Sequence, residues 1–174
     1  AFSIDTETGY KDAIIINGAY GLGEQVVKGS VVPDEYIVHK PTLEKGYKAV
    51  IERNIGRKDI KMVYGQTGTK VVPVPEKDKK TFCLTEREII TLAKWCVRIE
   101  RHFSRRRGRH QPMDIEWAKD GKTNKLFIVQ ARPETVHSSR DKNIIQEYRL
   151  KDKGNKITEG VAIGTKIAAG KARV

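Results

Sequence analysis

Cysteine is scarce in this chain, long apolar runs are missing, and acids are outnumbered by bases. The two cysteines among 174 residues, Cys83 and Cys96, stand too far apart for a metal-ligand motif. Both read as small core residues kept reduced. No stretch approaches the apolar length needed to cross a bilayer, and the first residues lack the basic-then-apolar order of a signal peptide, so a cytoplasmic location is expected. The glycines do not fall in a Walker or dinucleotide-binding spacing. Acidic residues number 22 against 34 lysines and arginines, a net charge of +12. Such an excess favours polyanions: a nucleotide, a nucleic acid or an acidic partner domain.

What is present describes a soluble globular protein, 38% hydrophobic and 32% charged, long enough for one domain or one and a fragment. Its most organised stretch is the pair of alternating segments at 112–118 and 125–135, joined by a turn carrying Asp120 and Gly121. This is the pattern of a β-hairpin. Alternation puts Asp114 and Glu116 on one face and Ile115 and Trp117 on the other. On the second strand Gln130 and Arg132 share a face, opposite Phe127, Val129 and Ala131. A turn centred near Thr123 sets Glu116 across from Gln130 and Asp114 across from Arg132. Two carboxylates, an amide oxygen and a guanidinium then meet on one surface. Mg²⁺ prefers oxygen ligands completed by phosphates, and arginine presents a fork of donors that fits a phosphoryl group. The set suits metal-bound polyphosphate, although a hairpin with one solvated polar face is also an ordinary feature of antiparallel sheets.

Elsewhere, residues 1–5 read as strand and 13–16 as a buried strand. Residues 33–39 read as an extended segment at an edge or a turn, because Pro33 cannot donate to a ladder. Residues 50–55 and 60–64 read as further strands, and 66–80 as a polar loop or exposed hairpin. Thr85 and Glu88 form a capping box, and Ile89, Leu92, Ala93, Cys96, Ile99 and Phe103 recur at helical spacing, predicting an amphipathic helix from 85 to about 102. The basic run from Ser104 to Gln111 reads as a solvated or elongated loop, with nucleic-acid binding as the sharper alternative. Between the first strands and 33–39, Gly18, Gly21 and Gly23 precede Glu24. Three glycines in six residues allow a backbone that wraps a phosphate or adenylate, or simply a tight turn.

The segments Asp-Ile-Glu-Trp-Ala at 114–118 and Phe-Ile-Val-Gln-Ala-Arg-Pro-Glu-Thr at 127–135 resemble the signature of the phosphoenolpyruvate-utilising dikinases, the group of phosphoenolpyruvate synthase and pyruvate phosphate dikinase. Residues 2–9, 20–29 and 33–41 resemble the same group, in the same order. The resemblance implies an α+β fold: the C-terminal part of an ATP-grasp-type domain over 1–137, an antiparallel sheet with packed helices. A linker at 138–152 and the opening of a swivelling β/α phosphohistidine domain at 153–174 would follow. It implies ATP binding by Glu24, Asp114, Glu116, Gln130 and Arg132, with Glu24 at the nucleoside, Glu116 and Gln130 on Mg²⁺, and Arg132 steadying the transferring phosphoryl group. Asp114 would orient a neighbour, and Glu134 is a weaker candidate on the same face. The implied activity of the whole enzyme is transfer of phosphate from ATP through a histidine to pyruvate, giving phosphoenolpyruvate, AMP and phosphate. None of His39, His102, His110 or His137 matches the carrier-histidine context, so none is expected to be the phosphorylated residue. The family's earlier ATP-contacting lysine and arginine and its pyruvate-binding barrel fall outside this stretch, so the fragment alone is expected to be inactive. Partners implied are ATP, pyruvate, the phosphohistidine domain and the N-terminal half of the ATP site. A membrane partner is not expected, nucleic acid is an unlikely one, and oligomers are possible. A sister dikinase such as pyruvate phosphate dikinase, or a non-catalytic basic nucleic-acid-binding module, are the alternatives.

Overall fold

The computed structural model describes residues 1–135 together with 154, 155 and 170. The expected linker and phosphohistidine opening, and His137, lie outside the described residues except at those three positions. Strands β1 (Ala13–Gly18), β2 (Asp34–His39) and β3 (Val50–Asn54) form an antiparallel sheet in that order. Strands β4 (Ile60–Tyr64) and β5 (Thr69–Pro73) make a separate hairpin, and β6 (Met113–Lys119) and β7 (Leu126–Pro133) make another. Among the described residues four helices intervene: α1 (Glu24–Val27), α2 (Lys40–Glu44), α3 (Glu76–Lys79) and α4 (Glu86–Arg107).

The first residues join the two larger sheets. Phe2 bridges Ile15 of β1 on one side and Asp114 of β6 on the other, both antiparallel. Ser3 donates its amide to the Met113 carbonyl at 2.9 Å, and Ile115 donates to Ala1 at 2.8 Å. β1 and β6 therefore run in the same direction, one strand apart. The outcome is one surface reading β3, β2, β1, the Phe2 segment, β6, β7.

One face of that surface is the core. Ile14, Ile16, Tyr36, Val38, Met113 and Ile115 point inward and meet Ile89, Leu92, Ala93 and Cys96 of α4. Burying such side chains stabilises by roughly 1.5–3 kcal/mol each. The capping box is present: Thr85 Oγ1 accepts from the Glu88 amide, and Glu88 accepts from the Thr85 amide at 2.8 Å.

Three expectations change. α4 runs to Arg107, so Ser104 to Arg107 is its last turn rather than a loop, closed by Gly108 in a left-handed conformation. Arginine is a good helix former, and cations suit the C-terminal end of the helix dipole, so a basic run continues a helix as readily as it leaves one. β2 is central rather than an edge, with Pro33 standing just outside it. On β7 a bulge opposite the Glu116–Trp117 step shifts the register, pairing Gln130 with Glu116 but Ile128 with Trp117. One extra residue reverses the faces beyond it. Leu126 and Ile128 thus pack toward the core, whereas Phe127 and Val129, expected there, are exposed.

Candidate functional site on the outer face of the hairpin

The face of the sheet opposite α4 carries the polar residues of β6 and β7. Asp114 stands opposite Arg132 and Glu116 opposite Gln130, the register expected from the sequence. The turn that fixes it is built by Asp120, whose Oδ1 accepts from the amides of Lys122 at 2.6 Å and Thr123 at 3.2 Å, with Asn124 at φ 56°. Asn is one of the residues that tolerates that conformation.

Arg132 Nε donates to Asp114 Oδ2 at 2.8 Å, and Nη2 meets the same oxygen at 2.7 Å. That hydrogen bond, and then the charge of the Asp114 carboxylate, raise the Arg132 pKa above its ordinary value. Asp114 is half-buried and Arg132 exposed, so the carboxylate anchors a guanidinium whose other edge faces outward. Glu116 and Gln130 are exposed, and their side chains make no hydrogen bond or ion pair among the described residues. The uncommitted oxygens of Glu116 and Gln130 beside an oriented guanidinium can receive a cation and a phosphate together.

The residues present fit a phosphate-borne Mg²⁺. Among the described residues no group of three or more His, Cys, Asp or Glu side chains could cage a metal alone. Mg²⁺ usually takes one or two carboxylates and completes its shell with water and substrate phosphates. Glu116 could offer one carboxylate and Gln130 an amide oxygen to such a shell.

Glu24 and Glu134 stand apart from it. Glu24 opens α1, where Lys28 holds its carboxylate at 2.5 Å, and no hydrogen bond or ion pair joins it to the hairpin among the described residues. Glu134 lies past the end of β7, buried, with its amide bonded to the Pro112 carbonyl and its own carbonyl accepting from Gln111. Its charge still reaches Arg132. The glycine turn before Glu24 has a packing reason: Gly21 sits at φ 82°, where a Cβ would fall 2.4 Å from the Met62 carbonyl oxygen.

Two features were not legible in the sequence. Asn17, two residues beyond Ile15 on β1, has a buried Oδ1 with no partner among the described residues. Beneath the same end of β1, the Asp34 carboxylate receives the Lys58 ammonium, the amides of Gly56 and Cys83 at 2.8 Å each, and the Tyr36 hydroxyl at 3.3 Å. Both side chains of the Asp34–Lys58 pair are fully buried. Burial pushes the adjoining Cys83 thiol up to about 12, which keeps it protonated and unreactive.

Residues 1–152 match the family model described as the pyruvate phosphate dikinase AMP/ATP-binding domain. The chain belongs to that family. Across 99% of its length this AMP/ATP-binding-domain chain is 58% identical to the phosphoenolpyruvate synthase of Aquifex aeolicus, 53% identical to that of Synechocystis and 49% identical to that of Escherichia coli. It spans 21–22% of those relatives, about a fifth of their length.

Proposed function

We propose that the outer hairpin face binds the phosphates of Mg-ATP within a phosphoenolpyruvate synthase. The observation that supports this reading best is the pairing of an Asp114-oriented Arg132 with the unengaged oxygens of Glu116 and Gln130 on the next register position. In a family named for AMP and ATP binding, these are the groups phosphoryl transfer needs. The reaction calls for positioning and charge neutralisation more than for covalent chemistry by the protein.

In this reading Glu116 and Gln130 hold Mg²⁺, which when bound neutralises phosphate charge. Arg132 directs its outward donors at the transferring phosphoryl group, and Asp114 fixes the plane of that guanidinium. Glu24 serves the nucleoside end after the glycine turn. The acceptor is a histidine outside this chain, from which one phosphoryl group passes to pyruvate while water takes the other, so that AMP and inorganic phosphate are the other products. The ATP-grasp architecture, the swivelling phosphohistidine domain and a cytoplasmic setting belong to the same proposal.

The test is Arg132→Ala in the intact enzyme, with phosphohistidine formation followed by single-turnover quench and ATP affinity measured separately. The expected result is a loss of rate of about a hundredfold or more with affinity changed only a few-fold, the mark of an interaction made in the transition state. Equal losses in both would refute that role.

A further inference from the structure

The bulge on β7 leaves a surface that the nucleotide reading does not use. Phe127 and Val129 are 51% and 64% exposed, although the alternation of the strand would have hidden them. Beside them a groove of about 400 Å³ opens between α4 and β7, lined by Trp95, Arg98, Ile99, Leu126, Phe127 and Ile128. β7 is eight residues long and pairs only with β6 among the described residues, so its far edge presents open backbone groups. Natural edge strands are commonly blunted by charge or proline. Here Pro133 ends the strand, and Phe127 to Ala131 carry no charge.

We propose that this edge and groove form a docking surface for another segment of the same, longer polypeptide, one presenting large apolar side chains flanked by carboxylates. Three observations select that occupant. The chain spans about a fifth of its relatives' length, so most of such a protein is available to cover the patch in cis. The rim is cationic: Arg98 and Lys125 are exposed, and their side chains have no hydrogen-bond or ion-pair partner among the described residues. The patch is also continuous with Gln130 and Arg132 on the same strand, so a docked segment would brace the strand that carries them. The inference rests on the family and the geometry of β7, and it stands whether or not ATP binds the outer face.

The experiment uses the full-length enzyme carrying Phe127→Cys, with native fold checked by circular dichroism. Maleimide labelling of the introduced thiol, read by peptide mass spectrometry, is compared in the native and the urea-unfolded enzyme. Docking predicts at least a tenfold slower native reaction that does not change on dilution. A native rate within about threefold of the unfolded one overturns the proposal, as does protection that disappears on dilution, which would mean a second copy. A photo-crosslinker at position 129 in mixed ¹⁴N/¹⁵N enzyme gives an independent answer. Cross-links within one isotope support docking in cis, and cross-links between isotopes overturn it.

Discussion

Replacing Lys58 with methionine removes the cation from a fully buried pair while keeping a linear side chain of similar reach. Asp34 then retains the Gly56 and Cys83 amides and the Tyr36 hydroxyl, but it has lost the ammonium that paired with it. Breaking a buried pair from one side destabilises by roughly 3–5 kcal/mol, because the remaining charge stays buried without compensation. With a urea m-value of about 2 kcal/mol/M, the midpoint should fall by roughly 1.5–2.5 M. The assay is equilibrium urea unfolding of the 174-residue chain followed by tryptophan fluorescence, since Trp117 lies beside Gly18 at this end of the sheet. Asp34→Asn combined with Lys58→Met removes both charges; its one amide oxygen can accept from only one of the Gly56 and Cys83 amides, which bond different oxygens of Asp34, but no charge is left buried, so it should be less destabilised than Lys58→Met alone. A single variant shifted by less than about 0.5 M, or a double variant as unstable as the single one, would refute the uncompensated-charge argument.

Asp114→Asn removes the carboxylate that holds Arg132, and the intact enzyme should phosphorylate its histidine about ten- to a hundredfold more slowly with its melting temperature nearly unchanged. A normal rate measured by rapid quench would show that Arg132 needs no such anchor. Acid should weaken the α4 start through Glu88. Burial acts to raise the Glu88 pKa, but hydrogen bonds from Lys119 and Thr85 outweigh it and lower it from its ordinary value. Its contribution is therefore fully present above the unfolded-state pKa and is lost as pH falls through the lowered folded value. Urea unfolding from pH 6 to pH 3 should show wild type losing more stability than Glu88→Gln, and parallel profiles would contradict the assignment.

The hairpin was legible because its chemistry repeats with period two and its turn is signalled by Asp120 and Gly121, although the left-handed position falls at Asn124. The bulge was not, since Leu126 to Val129 is a continuous apolar run and alternation cannot choose which members face inward. Packing decides it: Leu126 and Ile128 meet the core, leaving Phe127 and Val129 outside. The start of α4 was explicit in Thr85 and Glu88, yet its end was misplaced because arginines serve a helical last turn as well as a loop. The pairs Lys40–Glu100 and Asp34–Lys58 join residues 60 and 24 positions apart, a separation that no local pattern encodes. The buried Lys40 ammonium shows how much such a contact organises, taking the carbonyls of Ser3 and Lys11 at 2.6 Å each and the Glu100 carboxylate at 2.8 Å. For the candidate site, Asp114, Glu116, Gln130 and Arg132 converge as the register required. Glu24 was placed by resemblance, and its ion pair with Lys28 gives it no link to the hairpin.

In the proposed site the oxygens of Glu116 and Gln130 receive the metal that accompanies ATP. The most direct measurement is the ATP affinity of the intact enzyme, wild type and Glu116→Ala, by titration calorimetry with and without Mg²⁺. Mg²⁺ should strengthen binding to wild type, and most of this gain should disappear in the variant. An equal Mg²⁺ gain in both proteins would contradict that role for Glu116.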